Sequence, residues 1–115
     1  MPQTQKIVRL NKIVYREFNM LLRTLFRESA SKISVTEVSV SPDLQNAYLY
    51  FAVMGTEKDI KEAEKFLLKN SKILRQKLFQ RIKLRSSPRL NFKYDDSMSR
   101  GQHILQILDD LGNLQ

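Results

Sequence analysis

The chain contains no cysteine and no tryptophan, a single histidine, and only three glycines and three prolines. Without cysteine there is no disulfide, no thiolate metal ligand and no thiol nucleophile, and nothing argues for an oxidising compartment. His103 alone cannot build a zinc site of ordinary ligand type unless carboxylates supply the remainder. It reads as a solvated residue of the last helix. Gly55, Gly101 and Gly112 are isolated, so there is no glycine-rich loop to cradle a nucleotide. So few glycines and prolines leave no long flexible linker. No apolar run approaches the roughly 18 residues of a membrane span, and the polar start, Met1 to Gln5, lacks the apolar core of a secretion signal. These absences set the expectation of a cytoplasmic, non-enzymatic protein with no cofactor, no metal, no small-molecule substrate and no membrane partner.

Acid is also scarce where base is abundant. The net charge is +8 over 115 residues. Residues 1–30 hold six basic and two acidic side chains, and residues 31–70 are nearly neutral. Residues 71–94 hold eight basic side chains and no acidic one, whereas residues 95–115 hold one basic and four acidic. A solvated helix face normally mixes signs, because like charges at helical spacing repel. The segment from Lys58 to Lys69 does mix them; the one from Lys72 to Lys93 does not. Phosphate partners account for such a run, since each neutralised phosphate releases condensed counterion and arginine forks two donors onto one group. The expected polyanion-binding residues are Lys72, Arg75, Lys77, Arg81, Lys83, Arg85 and Arg89, helped by Arg9, Lys12 and Arg16.

The length suits one domain, 1–115, with an ordered core of about 5–112. Residues 5–28 read as a helix. Ile7, Leu10, Val14, Phe18, Leu21 and Leu25 form its apolar stripe, and Arg9, Lys12, Arg16, Asn19 and Arg23 its polar face. Ser34 to Val40 reads as a strand whose apolar phase slips between Val35 and Val38, which fits either a bulge or an irregular start. Ser41-Pro42-Asp43 is turn chemistry. Ala47, Leu49, Phe51 and Val53 then alternate with Tyr48 and Tyr50, giving a second strand close enough to form an antiparallel hairpin with the first. The two tyrosines could stack bases, although lining the other face of the sheet or packing under a helix explains them more simply. Thr56 to Asp59 has the spacing of a helix cap. Ile60, Ala63 and Leu67 give that helix a core face. Asn70-Ser71 interrupts it and could cap another, with Leu74, Leu78 and Ile82 as its stripe. Ser86-Ser87-Pro88 breaks the chain before a third strand at Leu90, Phe92 and Tyr94. Asp95-Asp96-Ser97 reads as the cap of a last helix bearing Ile104, Leu105 and Leu108; the paired carboxylates could hold magnesium, but capping is the simpler role. The fold class is α+β, with helices on one face of a three-stranded sheet.

Two stretches resemble a known family. Val38-Ser39-Val40-Ser41-Pro42-Asp43-Leu44 followed by Ala47-Tyr48-Leu49-Tyr50, and Ile82-Lys83-Leu84-Arg85-Ser86-Ser87-Pro88-Arg89-Leu90-Asn91-Phe92-Lys93-Tyr94-Asp95-Asp96-Ser97 with Gly101 beyond, are similar to paired signatures of the ribosome-binding factor A family. The resemblance covers roughly residues 5–112. It implies a type II KH-like domain, in the order α-β-β-α-α-β, without the GxxG loop of ordinary KH domains. It implies association with free 30S small ribosomal subunits and 16S rRNA during late maturation and rRNA processing, and adaptation to cold. The family carries an Ala-x-Gly kink between its second and third helices; the matching positions are Asn70, Ser71 and Lys72, so two helices with an altered joint are expected. The expected protein is a monomer. A generic single-stranded RNA- or DNA-binding module, and an adaptor whose basic face meets an acidic protein, remain open beside this reading.

Overall fold

A computed structural model describes residues 5–84 and 86–96. Six elements follow in the order α1 (Gln5–Leu25), β1 (Ile33–Val40), β2 (Asn46–Val53), α2 (Glu57–Lys69), α3 (Ser71–Arg81) and β3 (Arg89–Tyr94). The architecture is α+β and KH-like. The expected last helix, with Ser97 of its expected cap and with Ile104, Leu105 and Leu108, falls outside the described residues, as do His103, Gly101 and the end of the expected 5–112 core.

β1 and β2 form the antiparallel hairpin, and β3 joins the far side of β2 in parallel, giving the order β1-β2-β3. The phase slip in β1 is a bulge: Val35 faces Phe51 and Glu37 faces Tyr50, with Thr36 inserted between them. Strand alternation buries Val35, Val38, Val40, Ala47, Leu49, Phe51 and Leu90 on one face. Phe18, Leu21 and Leu22 of α1 join them, with Leu67 of α2 and Leu74 and Leu78 of α3. Phe18 meets Phe92 at 5.8 Å between ring centroids, closing α1 onto β3.

Three expectations are corrected here. α1 stops at Leu25, not near residue 28; Leu25 points outward and is 53 % exposed, while Leu22 takes the core position. A turn replaces the last predicted helical residues, with Ala30 N–H donating to Phe26 O and Ile33 N–H to Ala30 O. Asn19, placed on the polar face by periodicity, is buried. Its Oδ1 accepts from Val35 N–H at 2.8 Å and its Nδ2 donates to Val35 O at 3.0 Å. A side-chain amide matches the outward donor and acceptor of an edge strand, so this polar residue is buried at little cost. Asn11 adds a second pin, accepting from Val40 N–H at 2.8 Å.

The expected cap at Thr56 forms. Asp59 Oδ2 accepts from Thr56 N–H at 2.8 Å and from the Thr56 hydroxyl at 3.1 Å. Asp59 also accepts from Lys32 Nζ at 2.8 Å. Lys32 and then Thr56 hold the Asp59 carboxyl down to about 2, and the same partnership raises Lys32. Asn70 acts on the opposite helix end from the one expected. Its side chain does not cap α3; Nδ2 donates to Phe66 O at 2.8 Å and closes the C-terminus of α2. Its backbone sits at φ −102°, which any residue adopts, and Lys72 lies within the first turn of α3. The joint therefore needs no glycine.

Candidate nucleic-acid interface

The turn between β1 and β2 organises one end of the molecule. Ser41 Oγ donates to Asp43 Oδ1 at 2.6 Å, and Gln45 N–H donates to the same oxygen at 3.1 Å. These bonds, the one from Ser41 first, lower the Asp43 pKa. Leu44 adopts φ 61°, a left-handed turn conformation, and its N–H donates to Ser41 O. The connection before β3 is tied to this turn, Arg89 N–H donating to Gln45 O at 2.8 Å and Ser86 Oγ to Leu44 O at 3.4 Å.

Two clefts open beside this knot and share Leu44 and Ser86. The larger, about 600 Å³, has an apolar floor that includes Leu10, Ile13 and Leu84, with Lys6, Arg9 and Lys83 as its cations. The smaller, about 380 Å³, carries Arg75 and Arg89. Among the described residues no acidic side chain lines either cleft. The first turn of α1 also lacks an acid and contains Lys6. A cation there opposes the helix dipole, so it costs stability and adds positive potential at this end.

The structure brings together only part of the expected set. Arg9, Lys83, Arg75 and Arg89 converge on the two clefts, and Lys6, which sequence reasoning passed over, joins them. Its signal was its place three residues before Arg9 on α1. Arg81 lies on the flank of α3 that meets α1, where its Nε donates to Glu17 Oε2 at 2.9 Å. Lys77, four residues earlier, shares that flank. Arg16 stands 3.7 Å from Glu17. Lys12 and Lys72 are exposed on α1 and α3 and line neither cleft. Arg75 turns to the opposite flank of α3, where Nη2 donates to Ser87 O. The basic run of α3 thus surrounds the helix and does not form a single face. Arg85 lies outside the described residues.

Tyr48 and Tyr50 lie half-buried on the sheet face opposite the buried strand residues. Lys93 Nζ sits 5.5 Å from the centre of the Tyr48 ring, a cation–π contact that orients the lysine along this face. Asn91 links the face to the smaller cleft, its Nδ2 donating to Asn46 Oδ1 at 3.3 Å. Among the described residues no group of three histidine, cysteine, aspartate or glutamate side chains could hold a metal ion. Asp95 has a structural partner: Thr36 Oγ1 donates to its Oδ2 at 2.6 Å. Among the described residues no helix is long and apolar enough to cross a membrane.

Comparison with known proteins places the chain in a family. The ribosome-binding factor A family model matches residues 6–108. The chain is 33 % identical to the ribosome-binding factor A of Thermosynechococcus vestitus, across 100 % of this chain and 94 % of that one. The fold is similar to the crystal structure of ribosome-binding factor A from Thermus thermophilus, with TM-score 0.68 and 22 % identity over 76 % of this chain and 94 % of that one. It is also similar to a homology model of the Thermus thermophilus factor fitted into a cryo-EM map of a 30S–RbfA complex, with TM-score 0.59 and 21 % identity over 83 % of this chain and 97 % of that one.

Proposed function

The chain belongs to the ribosome-binding factor A family, and from that premise we propose that it is a non-enzymatic assembly factor that binds free 30S small ribosomal subunits and contacts their 16S rRNA during late maturation and rRNA processing. It acts as a cytoplasmic monomer, its chain folded as one domain, and supports assembly in the cold. The convergence of Lys6, Arg9, Lys83, Arg75 and Arg89 around the 41–46 turn is the observation that carries this reading. Two clefts lined by no acid among the described residues, and held on a hydrogen-bonded knot, suit a phosphate backbone, with affinity and orientation set by the cations and specificity by RNA shape. The apolar floor beneath Arg9 and Lys83 can receive a base edge or sugar while the cations hold the flanking phosphates.

Replacing Arg9 and Lys83 with glutamate tests the assignment. The double variant loses co-sedimentation with small subunits while its circular dichroism and melting temperature stay those of the parent. Retained binding by the folded variant would remove the site. Competition between small subunits and arbitrary oligonucleotides separates an assembly factor from a generic RNA-binding module. Nuclease treatment of the bound particle separates both from an adaptor that recognises an acidic protein.

A further inference from the structure

A third cleft, about 1040 Å³, runs between the C-terminal half of α1 and β1, an edge strand of the sheet. Its β1 wall, Ile33 to Thr36, lies toward the opposite end of the strand from the 41–46 turn, roughly 15–25 Å away along the strand. Arg23, Arg27, Ser34 and Tyr15 are among its lining, and none of its lining residues is acidic. This is notable because Glu28, Glu57, Asp59 and Glu62 belong to the neighbouring segments. Neither arginine forms an ion pair with a described residue, in contrast to Arg81 and Lys32. Arg23 Nε is aimed back at Asn19 O at 3.5 Å, so its terminal nitrogens remain for a ligand. Tyr15 is 43 % exposed and offers a ring face.

An edge strand beside a basic groove could in principle take either an acidic peptide or an RNA strand. The peptide needs the strand's outward N–H and C=O groups, because added strands bind through the main chain. Beside the cleft three of them are taken: Asn19 holds both of Val35's, and Ile33 N–H donates to Ala30 O. The edge is closed to a continuous added strand at Val35, and the cleft offers instead the side-chain chemistry of two guanidinium groups, hydroxyls and an aromatic ring. Guanidinium forks match phosphate oxygens, and an exposed ring stacks a base of any identity.

We propose that the α1–β1 cleft is a second binding site for single-stranded RNA, with Arg23 and Arg27 on consecutive phosphates and Tyr15 against a base. The inference rests on the RNA-binding reading above and extends it to a second surface. One RNA would then engage the protein at two separated places, which raises affinity by effective concentration and fixes the orientation of the protein on its target.

Fluorescence anisotropy of a labelled oligouridylate long enough to span both sites, titrated with the full chain over a salt series, tests the proposal. In R23Q/R27Q the log–log salt slope becomes shallower by about 1.4, two single-strand phosphate contacts, and affinity at ~0.1 M salt falls about 25-fold. R23K/R27K keeps the slope, since charge is retained. Y15L loses about 5-fold or more in affinity at unchanged slope, the signature of lost stacking. R9Q/K83Q serves as the parallel probe of the first site. An unchanged slope in R23Q/R27Q beside a reduced one in R9Q/K83Q overturns the second site and leaves the first standing. An unchanged slope in R9Q/K83Q removes the first reading on its own account. Weaker retention of R23Q/R27Q on small subunits with an unaltered RNA slope assigns the cleft to a protein and overturns it as an RNA site.

Discussion

Replacing Asn19 with leucine keeps the branched outline of four side-chain heavy atoms but removes both hydrogen bonds to Val35. The residue is buried between α1 and the edge of β1, so water cannot readily replace the lost partners. Each orphaned backbone group costs about 1–3 kcal/mol, and the apolar burial of leucine returns part of it. The expected net loss is about 2–4 kcal/mol. For a domain of this size that corresponds to a fall in melting temperature of roughly 10–25 °C. Urea denaturation gives the free energy directly, with the slope m reporting whether the unfolded state has changed. Asn19→Asp sharpens the test. It keeps an acceptor for the Val35 N–H but sets a carboxylate against the Val35 carbonyl. Its folded-state pKa is therefore raised, and the variant is most penalised at neutral pH and recovers as acidification supplies a donor proton. A leucine variant within about 0.5 kcal/mol of the parent would refute the claim that this amide clamps the strand, as that change is typical of an unengaged surface position.

Further expectations concern the other end of the sheet and the core. Because Lys32 and Thr56 hold the folded Asp59 carboxyl near 2, below its ordinary 3.8, its contribution is present above 3.8 and is lost as pH falls toward 2. Lys32 is raised above 10.5, so its contribution is complete below that value and is lost as alkali titrates it. Asp59→Asn removes both dependences, read as a flatter profile of melting temperature against pH. Gly55 adopts φ +131°, and a Cβ there would meet the Asp59 carboxylate. Gly55→Ala should cost about 1–3 kcal/mol through backbone strain and a displaced cap, and combining it with Asp59→Ala should cost less than the sum of the two singles in urea titrations. Leu67→Ala opens a cavity at a fully enclosed position and should cost about 2–5 kcal/mol in the same assay.

Local chemistry was readable in the sequence where one physical signal dominated. The alternation of Ala47, Leu49 and Phe51, the slipped phase at Val35 and Val38, the turn at Ser41 and Asp43 and the cap at Thr56 each appear where composition and spacing put them. Contacts between distant elements were less legible. Periodicity assigned Asn19 to solvent because it cannot know that an edge strand lies beside that flank of α1. Asn70 reads equally well as the start of one helix or the end of another; the nearby Phe66 carbonyl decides it. Nor does strand patterning specify that β3 pairs in parallel with β2, which is what carries Arg89 to Asn46 and the turn. The charge run pointed to cations but could not show how they are arranged. Cations spaced along α3 point to different flanks, and convergence at the turn depends on how α1 crosses the sheet. The α1–β1 cleft escaped for the same reason, Arg23 and Arg27 being unremarkable until β1 lies against them.

Co-sedimentation of the full chain with purified small subunits, large subunits and assembled ribosomes, over a salt series, addresses the central claim most directly. The account predicts selective association with free small subunits and a log–log slope of roughly −3 to −5, as expected for four to six phosphate contacts. Equal binding to all three particles, or binding insensitive to salt, would contradict it.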